Sequence, residues 1–147
     1  MRFYQRAKLP FVVLLDADSR GRELAKSLQG WGVPAEKILE MASLFDDRKG
    51  QDFDIEDIVS AAFYHQAVQL VYPDAPVEPP AEAAGKRTKE YEKLYREKYA
   101  IGFNKRRVAE MLKKLVVEEK ADEASTSALQ KISSALLAAL KKQIPGQ

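Results

Sequence analysis

The run Phe11–Leu15, FVVLL, constrains this chain more than any other feature. It is continuous, apolar and rich in β-branched residues. Such a run reads as a strand buried on both faces, as in a parallel sheet. It stops abruptly at Asp16-Ala17-Asp18-Ser19, with Gly21 close behind. Two carboxylates one residue apart repel unless a cation lies between them or each has its own hydrogen bonds. The pair therefore caps a helix or holds a cation.

The residues after the pair fit the carboxyl end of a parallel strand. Asp18 or Ser19 can cap a helix running to Gln29, with Leu24, Ala25 and Leu28 on one face and Gly21 giving the turn room. Gly30-Trp31-Gly32 ends it, with Trp31 expected as a packing anchor, and a short strand is expected around Ile38–Met41. That is a β-α-β unit, the mark of an α/β sheet.

Asp54 is placed to cap a second helix whose apolar positions are Ile55, Ile58, Val59, Ala62, Phe63, Leu70 and Val71. Four prolines come next, within residues 73–86. Beyond them the pattern is helical. Tyr91, Leu94, Tyr95 and Tyr99 share one side, and Asn104 caps a stripe of Val108, Met111, Leu112, Leu115 and Val116. Leu129, Ile132, Leu136, Leu140 and Ile144 mark a last helix. The expected organisation is an α/β portion over residues 1–75, a Pro-rich linker or crossing loop over 76–89, and a helical region over 90–147.

Composition excludes several chemistries. With no cysteine there is no disulfide framework, thiolate metal site or cysteine nucleophile, which fits a cytoplasmic location. The net charge of +2 gives no global argument for nucleic acid. The apolar run near the N-terminus is too short and too acidic at its end for a signal peptide, and no stretch suits a membrane. The single histidine, His65, sits mid-helix, partly buried or at the surface, and makes no catalytic case alone.

Ligands of α/β sheets bind at the carboxyl ends of strands. Residues i and i+2 of an extended segment face one side, so Asp16 and Asp18 would converge. Their hard oxygens suit Mg²⁺ or Mn²⁺. Asp54, Glu56 and Asp57 form a second acidic group, at a helix start where capping is the competing explanation.

VVLLDADSRGRELAKSL resembles the aspartate motif of Toprim domains, in which a strand ends in Asp-x-Asp followed by a small residue and a glycine. FDIEDIV and YAIGFNKRRVAEML extend the resemblance to the OLD-family (overcoming lysogenization defect) nucleases, where a Toprim nuclease follows an ABC-type ATPase. It spans Phe11 to Leu112. The resemblance implies a partial Toprim-type parallel sheet with flanking helices and a helical C-terminal region. It implies Asp16 and Asp18 as paired ligands of Mg²⁺ or Mn²⁺, Glu56 as a later acidic ligand and Asp57 in support. Ser19 and Gly21 match the turn. Lys105 matches a lysine that stabilises charge at the scissile phosphate, with Arg106 and Arg107 beside it as further DNA contacts.

The implied partner is DNA, with an ATPase domain in the same full-length chain, no membrane, and room for a homodimer. The Toprim glutamate of an earlier strand has no counterpart in the ten residues before Phe11, and no phosphate-binding GxxxxGK[ST] motif is present. The chain thus reads as the C-terminal portion of a longer endonuclease. The rival is a non-catalytic Toprim-like binding module with an incomplete metal site. A phosphatase using Asp16 as nucleophile is a third reading, but Arg20 stands where haloacid-dehalogenase-like enzymes carry threonine or valine.

Overall fold

A computed structural model describes residues 9–80 and 86–144. Residues 81–85 of the Pro-rich segment lie outside the described residues. The chain divides into two compact units, Met1–Gln51 with Gln130–Gln147, and Asp52–Leu129. The protein is mixed α/β. Among the described residues no helix is long and apolar enough to cross a membrane.

The first unit holds the β-α-β motif. Strand β1 (Val13–Leu15) pairs in parallel with β2 (Ile38–Glu40), Val13 opposite Ile38 and Leu15 opposite Glu40. Helix α1 (Ser19–Gly30) makes the crossover. Leu15, Ala25, Leu28 and Val33 form the core beneath it, with Phe11, Val13 and Ile38 packed against them. The sheet is two-stranded among the described residues, and β1 is not fully buried: Val13 and Leu14 are half-buried. Phe11 finds a partner outside the sheet. Its N–H donates to Gln143 Oε1 at 3.2 Å, and Gln143 Nε2 donates to its carbonyl at 3.0 Å.

Two expectations for α1 are corrected. Leu24 is 43% exposed, and the buried face is Gly21, Ala25 and Leu28. Trp31 is no packing anchor: it is 69% exposed. Gly32 adopts a φ of +82°, its N–H donates to Gln29 O at 2.9 Å, and Val33 N–H donates to Leu28 O at 2.9 Å. This Schellman turn reverses the chain so that Val33, not Trp31, enters the core.

The second unit is helical: α2 (Ala61–Val71), α3 (Arg87–Tyr99), α4 (Lys105–Val117) and the first residues of α5 (Glu123–Lys141). Tyr64, Ala67, Val68, Tyr95 and Val108 have no exposure, and Tyr91 has 1%. Phe103 lies 5.6–5.7 Å, ring to ring, from Tyr72, Tyr91 and Tyr95. The tyrosines pack as core, as their spacing predicts. Burial pushes the Tyr64 and Tyr95 hydroxyls up to about 12. Asn104 caps α4 as expected, its Oδ1 accepting from Arg107 N at 3.1 Å. Within the Pro-rich segment Val77 is buried, and the Pro76 carbonyl accepts from Lys98 Nζ and Tyr99 Oη.

The helix expected from Asp54 is broken in two. Ile55–Asp57 is a 3₁₀ turn, and α2 starts afresh with Ser60 Oγ accepting from Phe63 N at 3.0 Å. The break resets the phase. Ala62 and Leu70 face solvent, and Phe63, Tyr64, Ala67, Val68 and Val71 form the buried stripe instead.

Ser60 also ties this start to that of α5. Its Oγ donates to Asp122 Oδ2, its N–H donates to the fully buried Ser125 Oγ at 2.8 Å, and Ser125 N donates to Asp122 Oδ1 at 2.7 Å. Burial alone would raise the Asp122 carboxyl, but these hydrogen bonds outweigh it and hold the group below its ordinary value of 3.8. A depressed carboxylate contributes stability that is present above the unfolded value and lost as pH falls through the folded one. Asp122→Ala is expected to cost about 1–2 kcal/mol at neutral pH and to flatten the acid limb of the stability curve below 3.8. Urea unfolding at neutral and acid pH checks both; an unchanged acid limb would remove Asp122 as its source.

Candidate acidic site

Leu15 ends β1, and the chain turns at Asp16 into α1. Asp18, at φ −135° and ψ 178°, is the N-cap, its Oδ1 accepting from Gly21 N at 2.7 Å. Asp18 as a residue is 7% exposed, while Asp16 is exposed. The two aspartates therefore meet different surroundings. Asp18 spends one oxygen on the helix, and Asp16 faces solvent at the strand's carboxyl end. Ser19 is the first helical residue and is exposed. Gly21 is dictated by space: a Cβ there would lie 2.0 Å from the Asp16 carbonyl oxygen. Its absence lets the first turn of α1 rest on the backbone that carries the pair.

The acidic turn of the second unit is matched by cations. Asp57 Oδ2 accepts from Asp54 N at 2.9 Å and Oδ1 from Arg87 N at 3.0 Å. Lys86 Nζ sits 2.5 Å from Asp54 Oδ1, a contact of charge rather than an aligned hydrogen bond. Arg87 Nη1 donates to the carbonyls of Glu56 and Val59, each at 3.0 Å, and the guanidinium lies 5.3 Å over the Tyr64 ring. Capping thus accounts for Asp57, and Asp54 is the residue at which the turn begins. Glu56 differs. Its side chain is 11% exposed, and its Oε1 lies 3.6 Å from Lys105 Nζ.

Lys105 opens α4 with its side chain 58% exposed. Arg106 pairs with Glu110 at 3.2 Å, in a contact open to water on both sides that contributes little. Arg107 is exposed. The structure thus brings Glu56 to Lys105, and keeps Arg106 and Arg107 on a solvated face. His65, partly buried, has its Nδ1 2.7 Å from Tyr91 Oη; burial holds its pKa below the usual histidine value. Among the described residues no three acidic or histidine side chains gather as a cation site.

Lys86 and Arg87 are not legible as part of this site from sequence. They stand at the end of a Pro-rich stretch and look like linker charges. The one available signal is that a basic pair comes after an acidic turn within the same helical half.

Carboxylate oxygens are the donors Mg²⁺ and Mn²⁺ take, and Mg²⁺ is commonly held by one or two protein carboxylates with water and substrate phosphate completing its shell. Asp16 and Asp18 fit that requirement in donor chemistry. No family model, curated protein or solved structure matches the chain.

Proposed function

We propose that this chain is the C-terminal, metal-binding portion of a Toprim-type DNA nuclease resembling the OLD family. The observation that carries the proposal is the 3.6 Å approach of Glu56 and Lys105. The resemblance assigns both residues to one catalytic centre, although they stand far apart in the sequence. The parallel β-α-β unit with Asp16 at the carboxyl end of β1 adds support. Asp16 and Asp18 would hold Mg²⁺ or Mn²⁺; the resemblance alone makes Glu56 a later acidic ligand, in a turn that Asp57 braces. The chemistry a bound cation supplies in such nucleases is polarisation of the phosphate and activation of water. Lys105 would supply positive charge to offset the negative charge that a phosphoryl transition state spreads over its oxygens. Arg106 and Arg107, exposed at the same helix start, contact the DNA backbone.

One observation favours the rival, a non-catalytic Toprim-like binding module. Asp18 and Asp57 spend carboxylate oxygens on backbone N–H groups, as caps do.

Mn²⁺ titration separates the two. The nuclease reading expects saturable paramagnetic broadening centred on Asp16–Ser19, absent in the Asp16→Asn, Asp18→Asn double variant. It also expects Mn²⁺-dependent DNA cleavage by the longer protein that falls about 100-fold in Lys105→Ala, the scale of losing one charge-stabilising group. Lack of Mn²⁺ binding by the native chain would overturn it in favour of the binding module.

A further inference from the structure

In the second unit α2, α4 and the start of α5 line an open cavity of about 340 Å³, a groove at the surface. Small-molecule sites commonly span about 300–1,000 Å³ and are mostly apolar with a few placed polar groups. Here the walls are Val59 and Phe63 on one side, Ala109, Leu112 and Val116 on another, and Leu129 at the end. The α4 members recur at helical spacing, on a stripe distinct from the one that sends Val108 and Leu115 into the core.

Two ionic side chains interrupt this lining, Glu56 and Lys113. The charge of Glu56 is met by Lys105 at 3.6 Å. Lys113 makes no ion pair with any described residue. It is an exposed ammonium at the edge of an apolar wall. The complement of such a site is a molecule with an apolar body and a single anionic end. A dianionic head would find one unmatched cation and the nearby Glu56 carboxylate, so a monoanion fits better.

We propose that this cavity binds an aliphatic carboxylate, its chain along α4 and its head at Lys113. The site shares Glu56 with the nuclease reading but does not rest on it, since the head-group contact is Lys113.

The test uses decanoate, decanol and decyltrimethylammonium, each below its critical micelle concentration, titrated into the full chain and followed by amide chemical shifts. Decanoate should bind saturably, with shifts confined to Val59, Phe63 and the 109–117 stretch. Decanol should bind about five-fold more weakly, the worth of one exposed charge contact, and the ammonium compound more weakly still. Lys113→Gln should bring decanoate down to the level of decanol. Ala109→Trp, which fills the cavity from an exposed position, should abolish binding of both with the melting profile unchanged. Unsaturable shifts, equal affinity for the three head groups, or decanoate affinity unchanged in Lys113→Gln would each overturn the proposal.

Discussion

Gly21→Ala is expected to destabilise the first unit by about 3 kcal/mol, at the upper end of the overpacking range. Helix propensity alone forecasts the reverse, since alanine is favoured over glycine by about 1 kcal/mol inside a helix. The contact decides the sign. An alanine Cβ would sit 2.0 Å from the Asp16 carbonyl oxygen, 3.1 Å from its carbon and 3.4 Å from Asp18 Oδ1. The first two are backbone atoms and cannot swing aside. Either the first turn of α1 lifts off the end of β1, or the Asp16 peptide moves. Both strain the 2.7 Å bond from Gly21 N to Asp18. Gly30→Ala is the matched control, because nothing lies within 4 Å of a Cβ there. It should be neutral or slightly stabilising. Urea unfolding of both variants gives the comparison, and equal stability of the two would show that α1 does not sit on Asp16 in this way. Any cation affinity of the aspartate pair should fall in Gly21→Ala and hold in Gly30→Ala.

The β-α-β unit was legible because its signals are local. A β-branched run, an aspartate cap and a glycine after the helix each act within a few residues, and β1, α1 and β2 lie close to where those signals put them. Asn104 worked for the same reason. Where the sequence misleads, the deciding feature is a distant partner or a turn that side-chain periodicity does not mark. Ser60 looks like one polar residue inside an amphipathic helix, yet Asp122 and Ser125 make it a start. Trp31 looks like an anchor by size, yet the Gly32 turn hands its place to Val33. Of the candidate site, the acids were legible as residues but not as an arrangement. Their spacing cannot show that Asp57 is held by the backbone of Arg87, or that Glu56 meets Lys105.

Arg87→Ala is expected to cost about 3 kcal/mol and to loosen the acidic turn. Hydrogen bonds to a charged partner contribute about 1.5–3 kcal/mol each. Arg87 makes two through Nη1, to carbonyls of Glu56 and Val59, and Val59 is 5% exposed. Truncation leaves both acceptors without that donor and strips the guanidinium from the Tyr64 face. The backbone N–H of residue 87 survives, so its bond to Asp57 Oδ1 does not explain the loss. Arg87→Lys separates charge from geometry. An ammonium keeps the positive charge but not the planar fork, and should recover less than half of the lost stability. Full recovery would mean that charge alone holds the turn. The functional consequence runs through Glu56, whose backbone carbonyl is one of the two acceptors. Loosening the turn should weaken the approach of Glu56 to Lys105, read as a change in the Lys105 Nζ resonance. A nuclease that depends on that pair would lose activity in Arg87→Ala even where the chain stays folded, whereas a binding module would lose stability alone.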